Sequence, residues 1–177
     1  MKPKIIFGIT LSLVLLASIT SAQNSRPPIP YIDRGACPFE CCTYRDWTVD
    51  KPTTVRSAMR DGSPIAFRLR KGARVKGMTG VVITSQPGEV RVLKQTKIGS
   101  VTARPGNIIY LLTYEGEGFH KVWFRGRVSS EETYDTSVFR SVREPKAVWW
   151  VKVRNSRGKV GWSREPENFG NKDQCGN

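Results

Sequence analysis

The stretch AVWWVKVRNSRGKVGWS, residues 147–163, holds two short apolar runs around a polar turn. Val and Trp favour strands, and Asn-Ser-Arg-Gly-Lys with Gly158 supplies the turn, so the stretch reads as a β-hairpin. Along a strand, side chains alternate between faces. Trp149, Val151 and Val153 therefore share one face, and Trp150, Lys152 and Arg154 share the other. The same grammar recurs outward from it, in TTVRSAM, PIAFRLR, ARVKGM, VVITS, EVRVLK, NIIYLLTYE and FHKVWF. Turn signals separate these runs, among them RDGS, RKGA, QPGE, RPGN and FRGR. No window keeps a helical period for three turns. The expected fold class is all-β, a small barrel or sandwich.

A weak internal repeat refines this. Val55 leads to Gly72 in RKGARV, much as Val90 leads to Gly106 in RPGNII. Residues 119–128, FHKVWFRGRV, align with 150–160: Phe119 with Trp150, Lys121 with Lys152, Val122 with Val153, Gly126 with Gly158. The order of the half-repeats is A, B, B, A. The economical reading is two small barrels, one (about 89–128) inserted in the other within residues 53–163. The alternative is chance similarity among basic hairpins. Residues 23–52 then form an extended Cys-rich arm, and 164–177 a tail.

The segment LRKGARVKGMTG (69–80), followed by WWVKVRNSRGKVGWS (149–163), resembles the bacterial SH3-like (SH3b-type) domain. Gly72, Trp150, Val153, Gly158, Gly161 and Trp162 stand at the positions of that family's turn glycine and closing hairpin. The resemblance covers about residues 53–163 and excludes the Cys-rich arm and the tail. It implies a non-catalytic module, often attached to cell-wall hydrolases, that holds peptidoglycan or a peptide. A fold alone does not establish a ligand.

The first residues read as an export signal. Lys2 and Lys4 precede the apolar run IIFGITLSLVLLA, and Thr20 and Ala22 are small residues suited to a cut after Ala22. The expected location is secreted or periplasmic, with membrane contact only through an uncleaved signal. Disulfides persist there. Cys37, Cys41 and Cys42 cluster near one end, and Cys175 lies at the other. Four cysteines allow three pairings. A bond between the adjacent Cys41 and Cys42 is the most strained of these, and one clustered cysteine is expected to reach Cys175. Zinc lacks both the two-pair spacing and the histidines, since His120 is the only one. No metal and no cofactor is expected.

Lys plus Arg outnumber Asp plus Glu by 29 to 15, a formal charge of +14. An exported chain this basic is drawn to anionic surfaces. The bland alternative is that the charge serves solubility. In FHKVWFR, Val122 and Phe124 face one way and Lys121, Trp123 and Arg125 the other. Lys121, Trp123, Arg125, Trp150, Lys152 and Arg154 are thus the expected ligand-binding residues, each Trp stacking and each cation pairing. Arg68, Arg70, Arg157 and Lys159 also oppose apolar neighbours. The alternative buries either Trp under the neighbouring barrel or the Cys-rich arm.

Catalysis is not expected. His120 alternates in phase with Val122 and Phe124, which points it inward or to a strand edge, and it lacks an oriented nucleophile. No carboxylate pair sits in an apolar setting, and no phosphate-cradling loop occurs. The expected partner is peptidoglycan or another anionic envelope polymer. A structural or assembly role on an envelope protein is the alternative, and nucleic acid is the least expected partner.

Overall fold

The computed structural model describes residues 26–175. The expected export signal (1–22) lies outside the described residues. Fifteen strands follow in chain order: β1 Tyr31–Arg34, β2 Asp46–Val49, β3 Thr53–Arg56, β4 Ile65–Leu69, β5 Arg74–Gln86, β6 Gly88–Val92, β7 Thr96–Ile98, β8 Val101–Ala103, β9 Ile108–Gly116, β10 Phe119–Phe124, β11 Arg127–Glu132, β12 Phe139–Arg143, β13 Lys146–Asn155, β14 Val160–Ser163 and β15 Phe169–Gly170. One 3-10 turn, Pro166–Asn168, is the only helical element among the described residues. The chain is all-β, as its alternating apolar runs require.

Two sheets carry two cores. The larger runs β15-β2-β5-β13-β14-β3-β4, with β1 also on β5. The smaller runs β11-β10-β9-β6-β12. The smaller sheet and the β7-β8 hairpin occupy the chain between β5 and β13, which pair over ten residue positions. Phe169 of β15 and Leu69 of β4 lie at opposite ends of the larger sheet, yet both join the core of Trp47, Val49, Val55, Val75, Val151 and Val153. The larger sheet therefore curls on itself. The second core contains Val90, Val92, Ile109, Leu111, Val122, Phe124 and Phe139, with Ile98 and Ala103 from the β7-β8 hairpin.

Gly77 shows how tightly the first core closes. It sits beside a register shift between β13 and β5. A Cβ there would lie 2.6 Å from Cε2 of Trp47, which is fully buried. Any side chain at Gly77 would displace the indole.

The Cys-rich segment does more than lie across the barrel. It contributes β1 and β2, both on one edge of β5. Its aromatic residues cover the first core. Phe39 meets Trp149 edge-on at 6.0 Å, and the Tyr44 ring packs at a tilt against Trp47, 5.5 Å away. The disulfides are Cys37–Cys42 and Cys41–Cys175, with Cα separations of 5.5 and 5.6 Å. The adjacent pair is not bonded to itself.

The tail is held by more than its cysteine. Arg45 donates to the carbonyls of Asn171 and Asp173 and to Oδ1 of Asn171. The amide of Thr43 donates to Lys172 O at 2.8 Å, and that of Gln174 to Cys41 O at 2.9 Å.

Candidate binding surfaces

The sequence placed six residues on one cationic, Trp-bearing face. The structure divides them between the two sheets. Trp150 does not face solvent: it is 4% exposed, opposite Val81 on β5. Alternation misreads it because β5 and β13 are covered on both faces at this level. Gly80, Val81 and Val82 are buried in succession, and so are Trp150 and Val151. A strand covered on both sides loses its period-two signature.

Lys121 is also committed inside the molecule. Its ammonium donates to both carboxylate oxygens of Asp33 at 2.9 Å. Asp33 keeps only 7% of its side chain exposed, and Lys121 32%. Glu115 stands 3.9 Å from the same ammonium. Burial pulls the Lys121 pKa down, but the Asp33 hydrogen bonds and charge, with Glu115 and Tyr31, outweigh it and raise the value. The pair clamps β1 of the larger sheet to β10 of the smaller. It is unsuited to ligand capture.

Trp123 is half-buried on β10, opposite Tyr110 and Val128. Arg125 turns the β10-β11 corner with φ 48°, its guanidinium 5.2 Å from the Phe124 ring. Lys152 lies half-buried on β13 with its ammonium 5.6 Å from the Trp162 ring. Arg154 is exposed, and it belongs to a different constellation from the other five.

That constellation is a cationic groove at one end of the larger sheet. Two adjoining hollows of about 450 and 620 Å³ share Arg74, Asn155 and Ser156. One wall is the β4-β5 turn, with Arg68, Arg70 and Arg74. The other is the β13-β14 hairpin, with Arg154, Arg157 and Lys159. Lys76 and Asp46, an exposed pair at 3.7 Å, flank one end.

Both walls are fixed by backbone bonds. Gly72 N donates to Val49 O at 2.8 Å, and Val49 N to Ala73 O at 2.9 Å. Asn155 Oδ1 accepts the amides of Arg157 and Lys159, each at 3.0 Å. That leaves six cations, Arg68, Arg70, Arg74, Arg154, Arg157 and Lys159. Among the described residues none of them has a carboxylate within ion-pair distance. Like charges gathered without counter-ions repel, and an anion laid between them relieves that repulsion. The sequence had shown five of these, Arg68, Arg70, Arg154, Arg157 and Lys159, as cations opposite apolar neighbours, and missed Arg74. Only folding brings the two turns together.

A second concavity, with a volume of about 440 Å³, lies beside the smaller sheet. His120, Tyr114 and Glu144 line it, together with residues of the β11-β12 connection. His120 Nδ1 lies 2.9 Å from Thr133 Oγ1, and the imidazole sits 5.1 Å from the Tyr114 ring. Burial pushes the His120 pKa down, against the opposing pull of the Gly118 backbone, Glu144 and Glu115. Sequence periodicity had turned His120 inward or to a strand edge but carried no sign of a cavity.

No family model, curated protein or solved structure matches the chain.

Proposed function

We propose that this chain is a non-catalytic, exported binding protein that holds an anionic cell-envelope polymer, such as peptidoglycan, in the groove between the β4-β5 turn and the β13-β14 hairpin. The observation that carries this reading is the set of six cations lacking acidic partners on two rigid walls. An open groove of this kind suits a chain-like ligand, because the polymer can enter and leave along its length. The formal charge of +14 favours the same class of ligand. The two disulfides fit an oxidising compartment. The resemblance of residues 69–80 and 149–163 to SH3-like modules supports an envelope polymer over nucleic acid.

Sedimentation of the oxidised protein with purified peptidoglycan, across a salt series, tests the reading. A cation near an anionic surface contributes about 1 kcal/mol, so Arg68→Ala/Arg157→Ala/Lys159→Ala should bind about a hundredfold more weakly. Trp123→Ala on the smaller sheet should bind like the wild type. Equal sedimentation of wild type and triple variant would remove the groove from the account. Loss of a protein partner in Trp123→Ala would instead favour the assembly role.

A further inference from the structure

We infer that the cavity beside the smaller sheet, lined by His120, Tyr114 and Tyr134, is a second binding site, one that takes an uncharged sugar ring, independently of what the groove holds. The floor of this cavity is apolar and part of the core: Val90, Leu111 and Phe139 are each no more than 7% exposed. Around that floor stand two exposed rings, Tyr114 at 42% and Tyr134 at 77%. A Cβ on Gly118 would lie 2.7 Å from the Tyr134 Cβ, so the backbone of the β9-β10 turn backs directly against it.

Most of the polar groups are hydroxyls, beside the His120 imidazole. Thr133, Thr136 and Ser141 add hydroxyls to those of the tyrosines, and Glu144 adds a carboxylate. The Ser141 hydroxyl donates to Glu144 Oε1 at 2.9 Å, and this holds the carboxylate at the rim. The Tyr114, Tyr134 and Thr136 hydroxyls both donate and accept, while Thr133 and Ser141 give their hydrogens to Gly118 O and Glu144; with a carboxylate that accepts and a ring face for stacking, the set complements a polyhydroxylated ring.

Charge narrows the choice. The formal charge of the chain is +14, which opposes the approach of a cation. Glu144 is the only lining residue that is charged when His120 is neutral, and it opposes an anion at close range. An uncharged ligand escapes both penalties. The volume of about 440 Å³ falls within the range of small-molecule sites.

Titration of the oxidised, full-length chain with the disaccharide of N-acetylglucosamine, followed by amide NMR, tests the site. Cellobiose serves as a second neutral probe, and benzylamine and benzoate as charged ones. The expected result is saturable shifts confined to Gly118, His120 and residues 133–144 with at least one neutral sugar. Tyr134→Ala should weaken that binding about tenfold through loss of a stacking face. Arg157→Ala/Lys159→Ala should leave it unchanged, which separates this site from the groove. Absence of saturable shifts there with both sugars would overturn the inference. So would saturation by benzylamine or benzoate alone.

Discussion

His120 illustrates how a single residue is set by its surroundings. Its imidazole is half-buried beside Tyr114, and burial, the largest influence, holds its pKa below the ordinary value of 6.5. The folded state therefore binds this proton less readily than the unfolded state does. The stabilising contribution is present above pH 6.5 and is lost as pH falls towards the lowered folded value. Each unit of separation between the two values corresponds to about 1.4 kcal/mol. His120→Gln removes this titration. Denaturant unfolding at neutral and mildly acidic pH should show the wild type losing more stability on acidification than the variant. Equal losses would mean that His120 is protonated as easily folded as unfolded. The sequence placed His120 in phase with Val122 and Phe124, but phase carries no information about Tyr114, which arrives from β9, or Thr133, which arrives from the β11-β12 connection.

At the scale of elements, the tail shows covalent and non-covalent fastening on the same segment. Cys41–Cys175 closes a loop of 134 residues. In the chain-entropy picture a loop of that length is worth up to about 5 kcal/mol. The paired Cys41→Ser/Cys175→Ser variant should lose stability of that order in denaturant unfolding. Its tail should nevertheless stay docked, because Phe169 is 1% exposed in the core and Arg45 bridges to Asn171. Retained protection in the variant of the Gly170 amide, and of the Thr43 amide that donates to Lys172 O, would confirm this division of labour; full exchange there would show that the bond alone holds the tail. The need for a link to Cys175 could be read from a tail of low apolar content. Its β15-β2 pairing could not, because two residues of strand leave no periodicity to detect.

For the whole molecule, the question is what joins the two sheets. Thr84 of β5 donates to Leu112 O of β9 at 2.8 Å, and Lys121 of β10 reaches Asp33 of β1. A Cβ on Gly116 would lie 2.5 Å from the Glu40 amide nitrogen, so the β9-β10 turn also rests on the disulfide segment. Lys121→Met would leave the Asp33 carboxylate buried without its cation. The expected cost is about 3 kcal/mol, the lower end for breaking a buried pair, because Lys121 keeps about a third of its side chain in water. Because the Lys121 pKa is raised, the pair's contribution is in place from neutral pH up to 10.5 and is lost as pH rises through the folded value. Thermal unfolding near neutral pH therefore reads it in full, and an unchanged midpoint in the variant would contradict the clamp. The sequence by itself determined the strand content, the turns at Gly72 and Gly158, the cationic excess and the unsuitability of a Cys41–Cys42 bond. These are local or additive properties, carried by neighbours along the chain. The tertiary structure alone decided that Trp150 is buried, that Lys121 is paired internally and that two distant turns pool six cations. Strand alternation names two faces but not what covers each, and that cover comes from residues far away in sequence.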